Sequence, residues 1–345
     1  MQDRHKVIHQ VRHFLIKRWF CLAVLASGVT LPVQADSAGI TPIRSFNQSP
    51  LVQIHGLPAI GNARVLKEHS GDFSMDLQIA SNFTFADSAD EQFVLDGETH
   101  RLTLGTCLGI ANGYEWGFEL PYLSHSGGSF DNAIERWHKL FGLPEGGRPD
   151  RPRNVMDYHY TRSGVDLVRV TQSTSGVGDA RLTGAVQISN TTSGRDVALR
   201  GSLKLPTGDS DMLHGSGSTD LALWLSMAPQ SNTGGSWHGY GGGGILYMSK
   251  SDIMPDQQRN FVAFGSVGLG LSLIPSLTVV AQLDAHSPFY DGSQFRQLSA
   301  YAVQGLLGLS WEFMPKKNLV ASFSEDLVVN TSPDVVFNLS LTLPF

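Results

Sequence analysis

Val335-Val336-Phe337-Asn338-Leu339-Ser340-Leu341-Thr342-Leu343-Pro344-Phe345 ends the sequence and decides how the rest of it is to be understood. Val335, Phe337, Leu339, Leu341, Leu343 and Phe345 are apolar, while Asn338, Ser340 and Thr342 between them are small and polar. A period of two places these sets on opposite faces of one strand. Strands of soluble proteins usually keep such a pattern for about five or six residues. This one runs to the roughly 9–11 tilted residues that cross a bilayer, and it ends on an aromatic ring.

The same alternation recurs upstream. Phe73, Met75, Leu77, Ile79, Phe83 and Phe85 interleave with Ser74, Asp76, Gln78, Asn82 and Thr84. Leu102, Leu104, Leu108 and Ile110 follow, then an Ala111-Asn112-Gly113 turn. Tyr114, Trp116, Phe118, Leu120 and Tyr122 come next, backed by Glu115 and Glu119. A strand with aromatics on one side and carboxylates on the other fits poorly in a soluble core. It suits a wall between lipid and a polar lumen. Segments 179–189, 195–205, 218–228, 276–286, 298–313 and 318–326 repeat the pattern. The glycine-rich stretch 236–249 and segment 259–272 have the length of strands but an ambiguous facing. The expected fold is an all-β, up-and-down antiparallel transmembrane β-barrel of about twelve strands. Fourteen result if Tyr158 to Thr171 forms a further hairpin in the wall.

Connection lengths support this arrangement. From a periplasmic start, 86–98, 124–178, 206–217, 287–297 and 327–334 are expected as long extracellular loops. The turns 111–113, 190–194, 273–275 and 314–317 are expected on the periplasmic side. The ending also resembles the closing strand of Gram-negative outer-membrane barrels, whose assembly machinery favours a terminal Phe. That resemblance makes Phe345, Leu343 and Leu341 the expected assembly signal, and makes outer-membrane lipid and the barrel-assembly machinery the expected partners.

The other terminus carries an address. Arg4, Lys6, Arg12, Lys17 and Arg18 precede a short apolar run from Trp19 to Ala26, and Val33-Gln34-Ala35 has the small-x-small form of a cleavage site. Residues 1–35 are therefore expected to be a cleaved signal peptide. They hold five basic residues and one acidic residue, so their removal takes the formal charge from −6 to −10. Cys21 leaves with them and Cys107 remains alone, which excludes an internal disulfide. No Cys/His spacing suits a metal, no cofactor is expected, and the acidic balance argues against nucleic acid. Residues 36–70 lack a strong period and are expected to form a periplasmic N-terminal extension or a plug, ahead of a barrel over 71–345.

Within the insertion 124–178, Asp131 is placed to cap a short helix whose Ile134, Trp137 and Phe141 share one face, ending at Gly142 and Pro144. It is expected as a lid over the barrel mouth, or as a decoration on its rim. Phe46-Asn47-Gln48-Ser49-Pro50-Leu51 with His55-Gly56-Leu57-Pro58 resembles the opening motif of proteobacterial domain-of-unknown-function family 3187. Ile134-Glu135-Arg136-Trp137-His138 through Phe141-Gly142-Leu143-Pro144, followed by Gly146-Gly147-Arg148, resembles that family too. Gly176-Val177-Gly178-Asp179, Lys204-Leu205-Pro206-Thr207-Gly208-Asp209 and Gly215-Ser216-Gly217-Ser218-Thr219-Asp220 are more loosely similar to outer-membrane barrels of the phenol-degradation pathway. The resemblance implies place and shape, and no activity.

Facing assigns Asp76, Arg101, Glu115, Glu119, Asp179, Arg181, Asp196, Arg200, Lys204, Asp220, Asp284 and Glu312 to the lumen. In a bore of about twelve strands, opposite charges are close enough to meet. A conduit for small solutes, hydrophobic or aromatic ones included, is the expected function. An occluded structural or surface-interaction barrel is the alternative. A lipid-modifying enzyme would need a nucleophile beside a His. Ser216 and Ser218 near His214, and Ser287 after His286, are the candidates, but they fall in loop chemistry, so no enzymatic activity is expected.

Overall fold

The computed structural model describes residues 40–128, 152–189, 194–229, 236–327 and 331–345. The signal peptide expected over residues 1–35 and the helix expected with Ile134, Trp137 and Phe141 lie outside these residues.

Alternation becomes wall. The chain forms β1 (Gly71–Asp87), β2 (Glu91–Ala111), β3 (Tyr114–Ser126), β4 (Asp157–Arg162), β5 (Val165–Val170), β6 (Thr174–Val177), β7 (Arg181–Gln187) and β8 (Arg195–Lys204). It continues through β9 (Asp220–Pro229), β10 (Trp237–Met248), β11 (Phe261–Ile274), β12 (Leu277–His286), β13 (Ala302–Met314), β14 (Lys317–Asp326) and β15 (Val335–Pro344). Two single-turn helices, α1 (Pro50–Gln53) and α2 (Arg296–Ser299), complete the elements among the described residues.

Strands β1, β2, β3 and β7 to β15 pair with their sequence neighbours in an antiparallel ring of twelve. β1 and β15 close it in register from Asp72↔Pro344 to Ser81↔Val335. Closure leaves no free edge in the ring, which a bilayer demands of any sheet. The closing strand faces as its sequence dictates, with Phe337 and Leu339 outward and Asn338 and Ser340 buried. Phe345 extends the seam, because its N–H donates to the Gly71 carbonyl and the Gly71 N–H to its own.

The outer surface shows the dimensions of the apolar band. Tyr114, Trp116, Trp237, Trp311 and Phe345 are exposed at the end where short turns join the strands. Tyr122, Tyr247, Phe261 and Tyr301 are exposed towards the end where the loops lie. Trp237 and Tyr247 share one face of β10, ten residues apart. At about 3.3 Å per residue and about 40° of tilt this separation spans roughly 25 Å along the barrel axis. Two aromatic girdles around a band of that height are the mark of an outer-membrane barrel.

Two expectations are corrected. Residues 86–98 are no long loop, because β1 and β2 continue past the ring as a hairpin of 17- and 21-residue strands, paired as far as Asp87↔Gln92. Residues 158–171 do form a hairpin, β4–β5, but it adds nothing to the wall. β4 pairs with the projecting part of β2, from Glu91↔Arg162 to Asp96↔Asp157, so the ring stays at twelve. Aromatic packing holds it there, with Tyr158, Tyr160 and Phe93 all but fully buried.

The segment ahead of β1 lies inside the ring. Ile43, Leu51, Ile54, Leu57 and Ile60 are each no more than 4% exposed. With Trp224, Leu246, Val262, Phe264, Phe289 and Tyr290 most of them form the principal apolar core, in the half of the bore nearest the loops. Burial of this kind is worth about 1.5–3 kcal/mol for each large side chain, and here it holds the segment in the loop-end half of the bore.

Candidate functional site: the occupied bore

Residues 40–70 enter the bore at the turn end, rise to the loop end and return. On the way up, the Ile43 N–H donates to Gln282 Oε1 at 3.1 Å, and Arg44 pairs with Asp76 at 3.1 Å and Glu119 at 2.6 Å. Asn47 Nδ2 lies 2.9 Å from His286 Nε2 and donates to the Thr331 carbonyl. At the crest stand α1 and His55, whose Nε2 is 2.9 Å from the Tyr290 hydroxyl and whose ring stacks on Phe289. On the way down, wall side chains collect one backbone carbonyl after another. Arg181 donates to Leu57, Trp224 and Ser226 to Ile60, and Arg200 to Asn62. Arg64 then meets Asp196 at 2.9 Å, and the Leu66 N–H donates to Glu115 at 2.7 Å. An irregular segment can lie inside a barrel only if its backbone groups find partners, and the inward charges of the wall supply many of them.

Glycines make the room. On β10 and β11 the inward Gly242 and Gly270 face Ile60 and Ile40, whose atoms a Cβ would meet at 3.0 and 2.1 Å. The facing of these strands was ambiguous in the sequence because most of their inward positions carry either no side chain, as at Gly242, Gly244 and Gly270, or an apolar one, as at Leu246, Val262 and Phe264.

Most of the twelve charges assigned to the lumen come together, though chiefly with strand neighbours and the inner segment. Arg200 and Glu115 pair at 2.8 Å, and Arg181 reaches Glu119 at 3.7 Å. Lys204, Asp179 and Asp220 make a knot under the loop that follows β8. Lys204 Nζ donates to Asp179 and to Ser216 Oγ, the latter at 2.6 Å, and to the Ser218 carbonyl at 2.9 Å. Ser218 Oγ donates to Asp220, which also accepts the Gly56 N–H at 2.8 Å. One cation thereby joins wall, loop and inner segment. Asp284 accepts from Gln282, the same side chain that holds Ile43. Glu312 stands apart at the turn end, accepting the Lys316 N–H.

Ser216 and Ser218 are 0% and 2% exposed within this knot, so neither presents a hydroxyl to a substrate. The Ser287 hydroxyl accepts the Ala263 N–H, while His286 Nδ1 faces the Ser287 carbonyl and not its hydroxyl.

Burial, reinforced by the charge of Lys204, lowers the pKa of His55 well below its usual 6.5. The ring is therefore neutral when folded, while the unfolded chain takes up a proton below about 6.5. His55 contributes its full stabilisation above that pH and loses it as pH falls. The inner segment should accordingly become more susceptible to added protease between pH 7 and pH 5, and His55→Gln should flatten that dependence.

A chamber of about 280 Å³ remains at the turn end. Arg44, Phe46, Arg101, Glu119, Arg181 and Arg200 are among its lining residues, and Lys316, Asn318 and Thr342 stand towards its mouth. Sequence reasoning missed Arg44, Phe46 and Gln53, since residues 36–70 have no period to assign a facing. Only Phe46 lay in a recognisable signal, the motif Phe46–Leu51 with His55–Pro58, and Arg44 and Gln53 fall just outside it.

The COG4313 outer membrane channel from Pseudomonas putida F1 shares the fold, with a TM-score of 0.54 at 12% identity over 82% of this chain and 98% of that chain. The P. putida toluene transporter TodX aligns at a TM-score of 0.38 and 11% identity, over 81% of this chain and 91% of that chain. No match is found among curated proteins. The family resemblance drawn from the Phe46 and Ile134 motifs stands: residues 20–345 match the model of the family described as Protein of unknown function (DUF3187), and the chain belongs to it.

Proposed function

We propose that this protein is an outer-membrane channel for small solutes, held shut by its own residues 40–70. The observation that carries the proposal is the nature of the occupant. A barrel that needed only filling would close on wall side chains. Here inward glycines on β10 and β11 leave room for a separate segment, and that segment enters and leaves on one side. A piece so attached can withdraw without any chain end crossing the bilayer. Its localisation in the outer membrane of a Gram-negative bacterium, and assembly through the terminal signal of Leu341, Leu343 and Phe345, belong to the same proposal.

The test is conductance in planar bilayers. The full chain should be closed for most of the record, and deletion of residues 40–62 should give sustained steps. A variant lacking 128–153 would show whether the insertion adds a second barrier. Silence of a folded 40–62 deletion would overturn the proposal in favour of an occluded barrel with a structural or surface-interaction role, a reading favoured by the apolar core at the loop end.

A further inference from the structure

We propose that the chamber at the turn end is a binding site for small organic carboxylates, seated on Arg101. This deepens the channel reading by naming the class of solute. Six cationic and four acidic side chains line the chamber, although the chain as a whole is acidic. Cation-lined constrictions select anions.

One of those cations stands apart from its neighbours. Arg44 has Asp76 and Glu119, Arg200 has Glu115, and Arg64 has Asp196. Arg101 is 7% exposed, and among the described residues no carboxylate lies within 4.0 Å of it. Its Nη1 reaches only the Gln53 carbonyl, at 3.4 Å, and its Nε is buried without a hydrogen-bond partner. A buried guanidinium ordinarily has an anion, because desolvating it otherwise goes uncompensated. Phe46 shares its ring between Arg101 and Arg181, with guanidinium carbons 5.2 and 5.8 Å from the ring centre.

A carboxylate arriving from the mouth would complete Arg101 by charge-assisted hydrogen bonds, for which the planar guanidinium is suited. The apolar remainder of the ligand would lie beside Phe46 and Trp224, both of which line the chamber. A space of this size admits one ring and excludes large solutes.

Sodium benzoate is the probe, titrated calorimetrically into detergent-purified full chain at constant ionic strength. One saturable site is expected for benzoate and none for benzamide, its neutral isostere. Arg101→Gln should weaken benzoate by at least about tenfold, the loss of one charged hydrogen bond. Arg101→Lys, which keeps the charge without the fork, should fall between, and Arg169→Gln, on the exposed hairpin, should match the parent. Folding of each variant is checked by its heat-modifiable migration. Absence of saturable binding, equal binding of benzamide, or parental affinity in folded Arg101→Gln would overturn the inference. Benzoate binding by the full chain, together with silence of a folded 40–62 deletion in planar bilayers, would overturn the channel reading and leave this site standing.

Discussion

Replacing Lys204 by Met should destabilise the folded barrel by about 3–5 kcal/mol, the largest loss expected from a single substitution in this chain. Lys204 is 2% exposed and stands between Asp179 and Asp220, whose side chains are 5% and 0% exposed. Removing the cation leaves two buried carboxylates facing one another, and also strips the donor from Ser216 and the Ser218 carbonyl. The loop after β8 would lose its anchor, and Gly56 would be held by an uncompensated acid. The measurement is the temperature at which the heat-modifiable band shifts, with the parent and Lys250→Met as references. Lys250 pairs with Asp256 at the surface and its loss should be nearly silent. If the double replacement of Lys204 by Met and Asp220 by Asn recovers much of the stability, the loss came from unpaired charge and not from packing.

Gly56→Val should dislodge the inner segment while leaving the wall intact. A Cβ at Gly56 would stand 2.8 Å from Asp220 Cβ and 3.3 Å from Leu246 Cδ1, and both belong to wall strands. Overpacking of that kind costs about 1–3 kcal/mol, and displacing the Gly56 N–H from Asp220 adds about 1–3 kcal/mol for the orphaned groups. Because the crest of the segment is affected and no ring strand is changed, the migration of the folded barrel should persist. Open probability in planar bilayers should rise at least about fivefold on the smaller of these penalties. A folded variant with the parental open probability would mean that the crest is not what holds the bore shut.

The ring was legible because lipid imposes a rule on every strand that meets it. Phe337, Leu339, Tyr114 and Trp116 face outward for the same reason that Ser340 and Glu115 face inward, and a period of two records both. Where that rule stops applying, so does legibility. Past the girdle, Phe93, Val94, Leu95 and Asp96 are all buried, Phe93 and Leu95 within the apolar core that holds Tyr158 and Tyr160, so neither face of β2 is left to solvent or lipid there. Alternation vanishes, and a projecting hairpin passes for a loop.

The lumen was half legible. Lys204, Asp179, Asp220, Arg200 and Glu115 were placed by facing alone. What they bind could not be, since Arg200, Arg181 and Trp224 donate to carbonyls of residues 57–62, and a backbone acceptor leaves no trace in residue identity. The opposition of charges across the bore is replaced by a segment that lies between them.

That both limbs of the segment hang from the same rim governs how force would act on it. Ile40 beside Gly270, Ile43 at Gln282, Arg44 at Asp76 and Asn47 at His286 climb the wall in order. Tension applied at residue 40 from the turn side would run parallel to this line of contacts and load them together in shear. A segment held in this way resists an axial pull with the summed strength of its contacts, so weakening the ladder from within, at the crest, empties the bore more readily than drawing on its lower end.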